Sequence, residues 1–469
     1  MNDSLRKFKY DSEIAFNEEH WQKMNYNTGC YEKRFANSRN NYRNVELERE
    51  RAFLLRNKSL LNMEKLLVDF ETRFKDNGGQ VLWACDADDA LQMIWDIIGK
   101  RSNNSVSRSN SVVLDEIGID DYLKQKGVQV YDSSIGRYIL KVAGKEPYHP
   151  VYPALNLSKE EIGQVLNKQF KLKADSTTKQ LVNFVRHQVN QDLPKTQICI
   201  TGANYLLADM GGVVLSENEG NIVKSCASAN IHIVVAGIDK VISSVEDLSI
   251  LIPLTSAHAT GSGMTSVNSI TMGPSGDDGR MYVILLNNGR TDILENEVIR
   301  QSLSCTHCGA CISVCPIYKN IGGYAYGTPY IGPIGTVMTP LMYDLEEYAH
   351  LASLCSLCGR CTEVCPVKIP IEDLMIENRR IVAEERVGDT RYDSLVKTLI
   401  GHCKSRKKMD CPQWLKKVEM KQLVNKNNFT KRMMPELAPK SFNQMSKTEN
   451  FPLSVFRFPF IQPVGRCLR

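Results

Sequence analysis

The sequence predicts an α/β domain built on a largely parallel sheet, followed by an α-helical module. Three observations carry that expectation. Short apolar runs alternate with helical patterns up to about residue 300, two dense cysteine blocks follow within residues 305–366, and 469 residues are too many for one ordinary core.

Composition sets the outer bounds. The chain is 42% hydrophobic and 24% charged, with a formal net charge of +5, which excludes a disordered or low-complexity protein. No apolar run approaches the roughly 20 residues of a membrane span. The longest, residues 231–242, is interrupted by Gly237, Asp239 and Lys240 and reads as a buried strand and turn. The start, Met1-Asn2-Asp3-Ser4-Leu5-Arg6, leads into charged sequence without an apolar stretch, so no secretory signal and a cytoplasmic location are expected. Of fifteen cysteines, eight fall in the two blocks; Cys30, Cys85, Cys199, Cys226, Cys403, Cys411 and Cys467 are scattered. A disulfide framework would require a small secreted domain, so a reducing compartment with metal-bound thiolates fits better.

Four segments follow from the pattern. Residues 1–59 are polar, with six asparagines from Asn25 to Asn44 and then a charged helical stretch over 45–56, and read as a helical arm. Residues 60–300 form the α/β domain. Leu61, Leu66, Leu67, Phe70 and Phe74 have helical spacing, Gly78-Gly79 ends that helix, and 80–84 is a strand. Asp86 is placed to cap the next helix. Further strands are expected at 128–131, 197–201, 212–216, 231–236 and 282–286. Residues 301–390 form the helical module, closing with a helix over 371–386 that has Pro370 at its first turn. The remainder, 391–469, is a basic segment and an extended tail. Between Leu395 and Lys440 stand twelve Lys and Arg against three acids, Asp410, Glu419 and Glu436, a balance of roughly +9.

The blocks are Cys305-x2-Cys308-x2-Cys311-x3-Cys315-Pro316 and Cys355-x2-Cys358-x2-Cys361-x3-Cys365-Pro366. Three thiolates at two-residue intervals wrap a short loop around one [4Fe–4S] cubane, and the fourth cysteine points away and ligates the other cluster. The expected sets are therefore Cys305, Cys308, Cys311 with Cys365, and Cys355, Cys358, Cys361 with Cys315. Zinc also favours Cys-x2-Cys pairs, but it calls for neither a third cysteine at the same interval nor a fourth followed by proline, twice over. Gly309 and Gly359, at matching positions, let the backbone pass close to the cluster. Two adjoining clusters with no missing ligand suit electron transfer better than a structural staple or Lewis-acid chemistry.

Between the blocks run Ile321-Gly-Gly-Tyr-Ala-Tyr-Gly327, Gly332-Pro-Ile-Gly335 and Thr339-Pro-Leu341, and Cys365-Pro-Val-Lys-Ile-Pro370 follows. Upstream stand Gly202-Ala-Asn204, Asn218-Glu-Gly-Asn221, Gly273-Pro274 and Asn288-Gly-Arg290. Over roughly residues 60–390 these segments resemble the iron–sulfur subunit of the L-lactate utilization system, the lactate utilization protein B family. The resemblance implies a nagB/CoA-transferase-like α/β fold upstream and a helical two-cluster ferredoxin module downstream. It also implies one subunit of a three-protein complex oxidising L-lactate to pyruvate in the bacterial cytoplasm. Two segments depart from the pattern the resemblance implies: Arg108-Ser109-Asn110-Ser111 stands where the family usually reads Lys-Ser-Lys-Ser, and Arg137 follows Gly136 where it usually carries Glu.

Other features admit two readings each. Glu219 could be a carboxylate nucleophile or base in a pocket, but no partner base is visible, and Asn218-Glu-Gly-Asn221 also reads as a tight turn. Gly202, Gly211 and Gly212 make no phosphate-binding motif. His307 could be a cation beside a cluster or a solvated side chain. Lys404-Ser-Arg-Lys-Lys408 could contact nucleic acid, but no nucleic-acid-binding fold accompanies it, and a docking surface for an acidic partner is expected instead. The reading is an electron-transfer subunit with two [4Fe–4S] clusters, working with other subunits of a lactate-utilization complex and an acceptor the sequence does not identify. The alternatives are the same relay serving a glycolate or heterodisulfide reaction, and a transferase or ligand-binding protein that uses its clusters as a sensor.

Overall fold

The computed structural model describes residues 2–385, apart from 100–104, 174 and 277, together with a few positions between 397 and 405. The basic segment and the tail lie outside the described residues apart from those positions. Met1–Gly388 forms one compact unit.

Ten strands are found among the described residues: β1 Gln80–Ala84, β2 Ser105–Arg108, β3 Gln129–Asp132, β4 Ile198–Thr201, β5 Tyr205–Leu207, β6 Gly212–Glu217, β7 Ile231–Gly237, β8 Val241–Ile242, β9 Val267–Thr271 and β10 Arg280–Leu286. Six of them form one sheet in the order β1-β10-β7-β4-β2-β3, every neighbouring pair parallel. The centre is held by apolar registers, Ile200 against Ile233 and Ile233 against Tyr282. All seven residues of β7 are buried, as expected of a parallel strand covered on both faces. The helix Ala87–Ile98 follows β1, and the Asp86 carboxylate accepts from the Asp89 amide at 2.9 Å as its cap.

The strand expected at 212–216 exists, but in a second sheet, with order β8-β5-β6-β9. There β6 pairs antiparallel with both β5 and β9. The four residues Ala208–Gly211 are too short a connection for a parallel crossover, so β5 and β6 must close as a hairpin. Gly211, at φ +63°, makes the turn.

The amino-terminal helices pack into the main body. In the helices Glu18–Arg39 and Val45–Leu61, asparagine explains part of the unusual composition: the Asn17 and Asn44 side chains cap the amides of His20 and Leu47. Met24 and Tyr31 of the first are buried, as are Arg49, Ala52 and Arg56 of the second. One continuous apolar core runs from Phe70 and Phe74 through Leu206, Val234 and Leu285 to Ile312, Val337 and Leu374. The cysteine region is thus packed onto the sheet by shared side chains and does not hang from a linker.

Candidate iron–sulfur site

The two cysteine blocks fold as near-copies. In each, the residue two after the first cysteine is left-handed without being glycine, His307 at φ +55° and Leu357 at φ +52°. That turn brings its amide onto the first thiol, His307 N to Cys305 Sγ and Leu357 N to Cys355 Sγ, both 3.3 Å. Gly309 and Gly359 follow at φ +73° and +74° and open the short helices Ala310–Val314 and Arg360–Val364, which carry Cys311 and Cys361. A side chain on Gly309 would also meet the His149 ring.

The fourth cysteines differ from one another. Cys315 caps the helix Pro316–Ile321, with proline at its first position. Cys365 begins no helix: the next one starts only at Ile371, with Pro370 as its cap and not within its first turn. Proline at 370 disfavours the helical conformation for Ile369, which delays the helix. The intervening turn lets the Ile369 amide reach Cys365 Sγ at 3.4 Å.

Cys305, Cys308, Cys311 and Cys365 line one cavity, whose other walls include Val112, Ile312, Ile331 and Ile334. Burial pushes the Cys308 and Cys365 thiols up to about 12. After burial, the groups that act on Cys365 include Cys308 and Cys305, alongside the Ile369 and Val367 amides. Those that act on Cys361 after burial include Cys355 and Cys315, with Glu372 ahead of them. Cys315 in turn feels Cys355 and Cys358. Each fourth cysteine therefore lies among the first three of the other block. Cys358 is exposed, so this second group faces the surface while the first is enclosed. Buried thiols in an apolar lining hold their protons unless a metal replaces them. All-sulfur donors converging in two groups are a set that iron–sulfur clusters fit.

Cationic side chains hold the loops by their carbonyls. Arg49 donates to Cys365 O at 2.9 Å and Thr362 O at 3.1 Å. Arg379 donates to Cys355 O at 2.7 Å and Ala352 O at 2.8 Å, and Lys240 to Cys305 O at 3.1 Å. Sequence reasoning missed these residues. Arg49 and Arg56 share the buried face of their helix with Ala52, Ser59 and Leu60, a spacing of three and seven that could have singled them out. Charged residues on a charged helix read as a solvated face, and that hid the signal.

A cleft of about 290 Å3 lies at the carboxyl ends of the parallel strands, lined by Ser109 and Asn110 after β2, Ser134 after β3, and Gly202 and Asn204 after β4. This is where ligands enter open α/β sheets. Its far wall is Thr306 and His307 of the first cysteine loop together with Tyr330, so the cleft and the enclosed thiol group are neighbours. Glu219 borders it as part of a turn, accepting from the Ile135 amide at 3.0 Å, and Gly220 is left-handed. Gly211 and Gly212 lie in the β5–β6 hairpin, and of the three glycines only Gly202 lines the cleft. His307 is half-buried; burial first, then Lys240, push its imidazole well below the usual range, and its ring packs edge-on to Tyr330 at 5.6 Å.

The two family departures meet in space. Arg108 and Arg137 share Asp120 at 2.6 and 2.8 Å and Asp115 at 3.0 Å each, and Arg137 also holds Asp132 at 3.0 Å. Cys199, Cys226 and His232 also gather within 4.8 Å. His232 Nε2 already bonds Thr201 at 2.8 Å, and no fourth donor joins them among the described residues.

Comparison with known proteins matches this division. Residues 67–286 match the LUD domain and residues 301–369 the 4Fe-4S dicluster domain. The chain is 33% identical over 344 residues to the "Uncharacterized electron transport protein YkgF" of Escherichia coli (strain K12), covering 72% of each chain. It is 33% identical to "Lactate utilization protein B 1" of Bacillus mycoides (strain KBAB4), covering 73% of this chain and 72% of that one. To "Lactate utilization protein B" of Bacillus thuringiensis (strain Al Hakam) it is 34% identical, covering 73% of each. The crystal structure of a DUF162 family protein from Deinococcus radiodurans aligns at 14% identity and a TM-score of 0.27, covering 48% of this chain and 98% of that one, a likeness too weak to carry an argument. No helix among the described residues is long and apolar enough to cross a membrane. With a mostly parallel α/β domain, a 4Fe-4S dicluster domain and relatives matched over nearly three quarters of their length, the chain belongs to the lactate utilization protein B family.

Proposed function

We propose that this chain is the iron–sulfur electron-transfer subunit of a cytoplasmic complex oxidising L-lactate to pyruvate. Cys305, Cys308, Cys311 and Cys365 would hold one [4Fe–4S] cluster, and Cys355, Cys358, Cys361 and Cys315 the other. The observation that carries this is the crossed grouping of eight thiols, one set enclosed beside a cleft and the other opening to the surface. Each cubane, when bound, takes and gives single electrons with little rearrangement.

The chain's own residues do the rest. The amides of His307, Leu357 and Ile369 donate to the thiols and favour their anionic form. Apolar side chains keep water from the inner set. The lactate carbon would lose two electrons and two protons on a partner subunit, and the electrons would pass through this chain to a downstream acceptor. The α/β domain serves as a docking or ligand-binding module. Glu219 accepts from the Ile135 amide within a turn, which supports that reading over a nucleophile for a transferase.

The test is to purify the complex anaerobically and add 2-hydroxy acids one at a time. L-lactate should bleach the cluster absorbance on mixing. Bleaching by glycolate alone, or by no hydroxy acid in a complex whose clusters dithionite reduces, would assign the relay to another oxidation.

A further inference from the structure

The enclosed thiol group lies against a buried patch of charge that does not balance. Arg56 is 0% exposed. Its guanidinium donates only to backbone carbonyls: Nε to Ser304 at 3.2 Å, Nη2 to Leu303 at 3.0 Å and Asp239 at 2.6 Å, and Nη1 to Val241 at 3.4 Å. It makes no ion pair among the described residues. The nearby carboxylates are committed elsewhere. Asp239 takes Lys240 at 2.6 Å and Arg290 at 2.8 Å, and Glu116 takes Arg290 at 2.7 Å. Three cations, Arg56, Lys240 and Arg290, thus meet two carboxylates, and one positive charge is left over.

Carbonyl acceptors satisfy the N–H groups of the guanidinium and the Tyr205 ring lies over it at 5.9 Å, but neither supplies a full negative charge, and a buried charge without one is unfavourable. Two of the guanidinium's four hydrogen bonds run to the start of the first cysteine block. Arg56 holds the carbonyls of Leu303 and Ser304, the two residues before Cys305, and Lys240 holds that of Cys305 itself at 3.1 Å.

We propose that Arg56, seconded by Lys240, is the built-in counter-charge of the cluster held by Cys305, Cys308, Cys311 and Cys365, and that it raises that cluster's reduction potential. The proposal rests on the ligand sets given above. A cubane bound by four thiolates is anionic and gains a further negative charge with each electron, so a fixed cation in a low-dielectric wall favours the reduced form. Reduction adds one electron and makes or breaks no bond to Arg56. The effect belongs to the inner cluster. At the outer one, Arg379 holds the Cys355 carbonyl while the Glu372 carboxylate acts on Cys361.

The test is an EPR-monitored redox titration of the full chain, anaerobic and with iron counted, for wild type, Arg56→Gln, Arg56→Lys and Lys240→Gln. Arg56→Gln should lower one of two midpoints by at least tenfold in the one-electron equilibrium, about 59 mV, and leave the other in place. Lys240→Gln should lower the same midpoint, and Arg56→Lys should retain most of the wild-type value. Unchanged midpoints in either glutamine variant at full iron loading would overturn the proposal. So would an Arg56→Lys midpoint as low as that of Arg56→Gln, since packing and not charge would then be responsible. If Arg56→Gln does not load iron, Lys240→Gln decides alone. Failure of the ligand sets would show separately, as a wild-type chain with half the iron or without two reducible signals.

Discussion

Arg290 and Glu116 pair through two hydrogen bonds, Nη1 to Oε1 at 2.9 Å and Nη2 to Oε2 at 2.7 Å, across 174 residues of chain. Tyr330, which stands between the cysteine blocks, accepts from Arg290 at 3.1 Å and donates to Glu116 at 2.6 Å. Tyr330 therefore ties this pair, and with it the α/β domain, to the cysteine region. Removing one partner of a buried pair leaves the other charge unmatched, at a cost of about 3–5 kcal/mol. Glu116→Ala should unfold at a clearly lower temperature than wild type under anaerobic conditions, and Tyr330→Phe should lose less, about 1.5–3 kcal/mol. A wild-type midpoint for Glu116→Ala would mean the tie is decorative.

The Arg108–Arg137 group supports a second expectation. Arg137 is mostly buried among Asp115, Asp120 and Asp132. Arg137→Glu would place four acids around Arg108 and should cost at least about 3–5 kcal/mol. Arg137→Lys should cost less but remain destabilising, because an ammonium cannot reproduce the three-way fork. Denaturation of the three proteins side by side checks this, and a stable Arg137→Glu would show that the site tolerates either sign.

Here the sequence was legible only in part. The charge at 137 is plain in the sequence, but its compensation is not: Asp115, Asp120 and Asp132 lie on separate elements that only the fold brings together. The same holds for Arg56, whose partners are carbonyls hundreds of residues away. The cysteine loops were legible because their geometry is local, with cysteine, turn and glycine all within a few residues. The long apolar strands β7 and β10 were legible for the same reason. The short, partly polar β2 and the edge strands β8 and β9 carry too little pattern to be seen without their neighbours.

Crossed ligation gives a third expectation. Cys315→Ser should damage the cluster of Cys355, Cys358 and Cys361, and Cys365→Ser that of Cys305, Cys308 and Cys311, despite their places in sequence. EPR of the two variants distinguishes the clusters. Damage confined to each cysteine's own block would refute the crossing.

The basic segment supplies a fourth. Residues 395–440 carry roughly +9 against a whole-chain +5, so the rest is net acidic. Steering by such a segment should weaken as the screening length falls from about 10 Å at 0.1 M salt to about 3 Å at 1 M. Neutralising Lys404, Arg406, Lys407 and Lys408 should slow association with the partner subunits and flatten its salt dependence, with cluster content unchanged. Equal association rates at low salt would make the run a solvated face, and a gel shift at physiological salt would point to nucleic acid.

The central claim is that eight cysteines hold two cubanes that exchange electrons, and metal analysis with reductive titration of the anaerobically purified full chain tests it most directly. The account predicts about eight irons and eight labile sulfides per chain, reduced in two one-electron steps. About four irons, zinc in place of iron, or a full iron complement that accepts no electrons would contradict it.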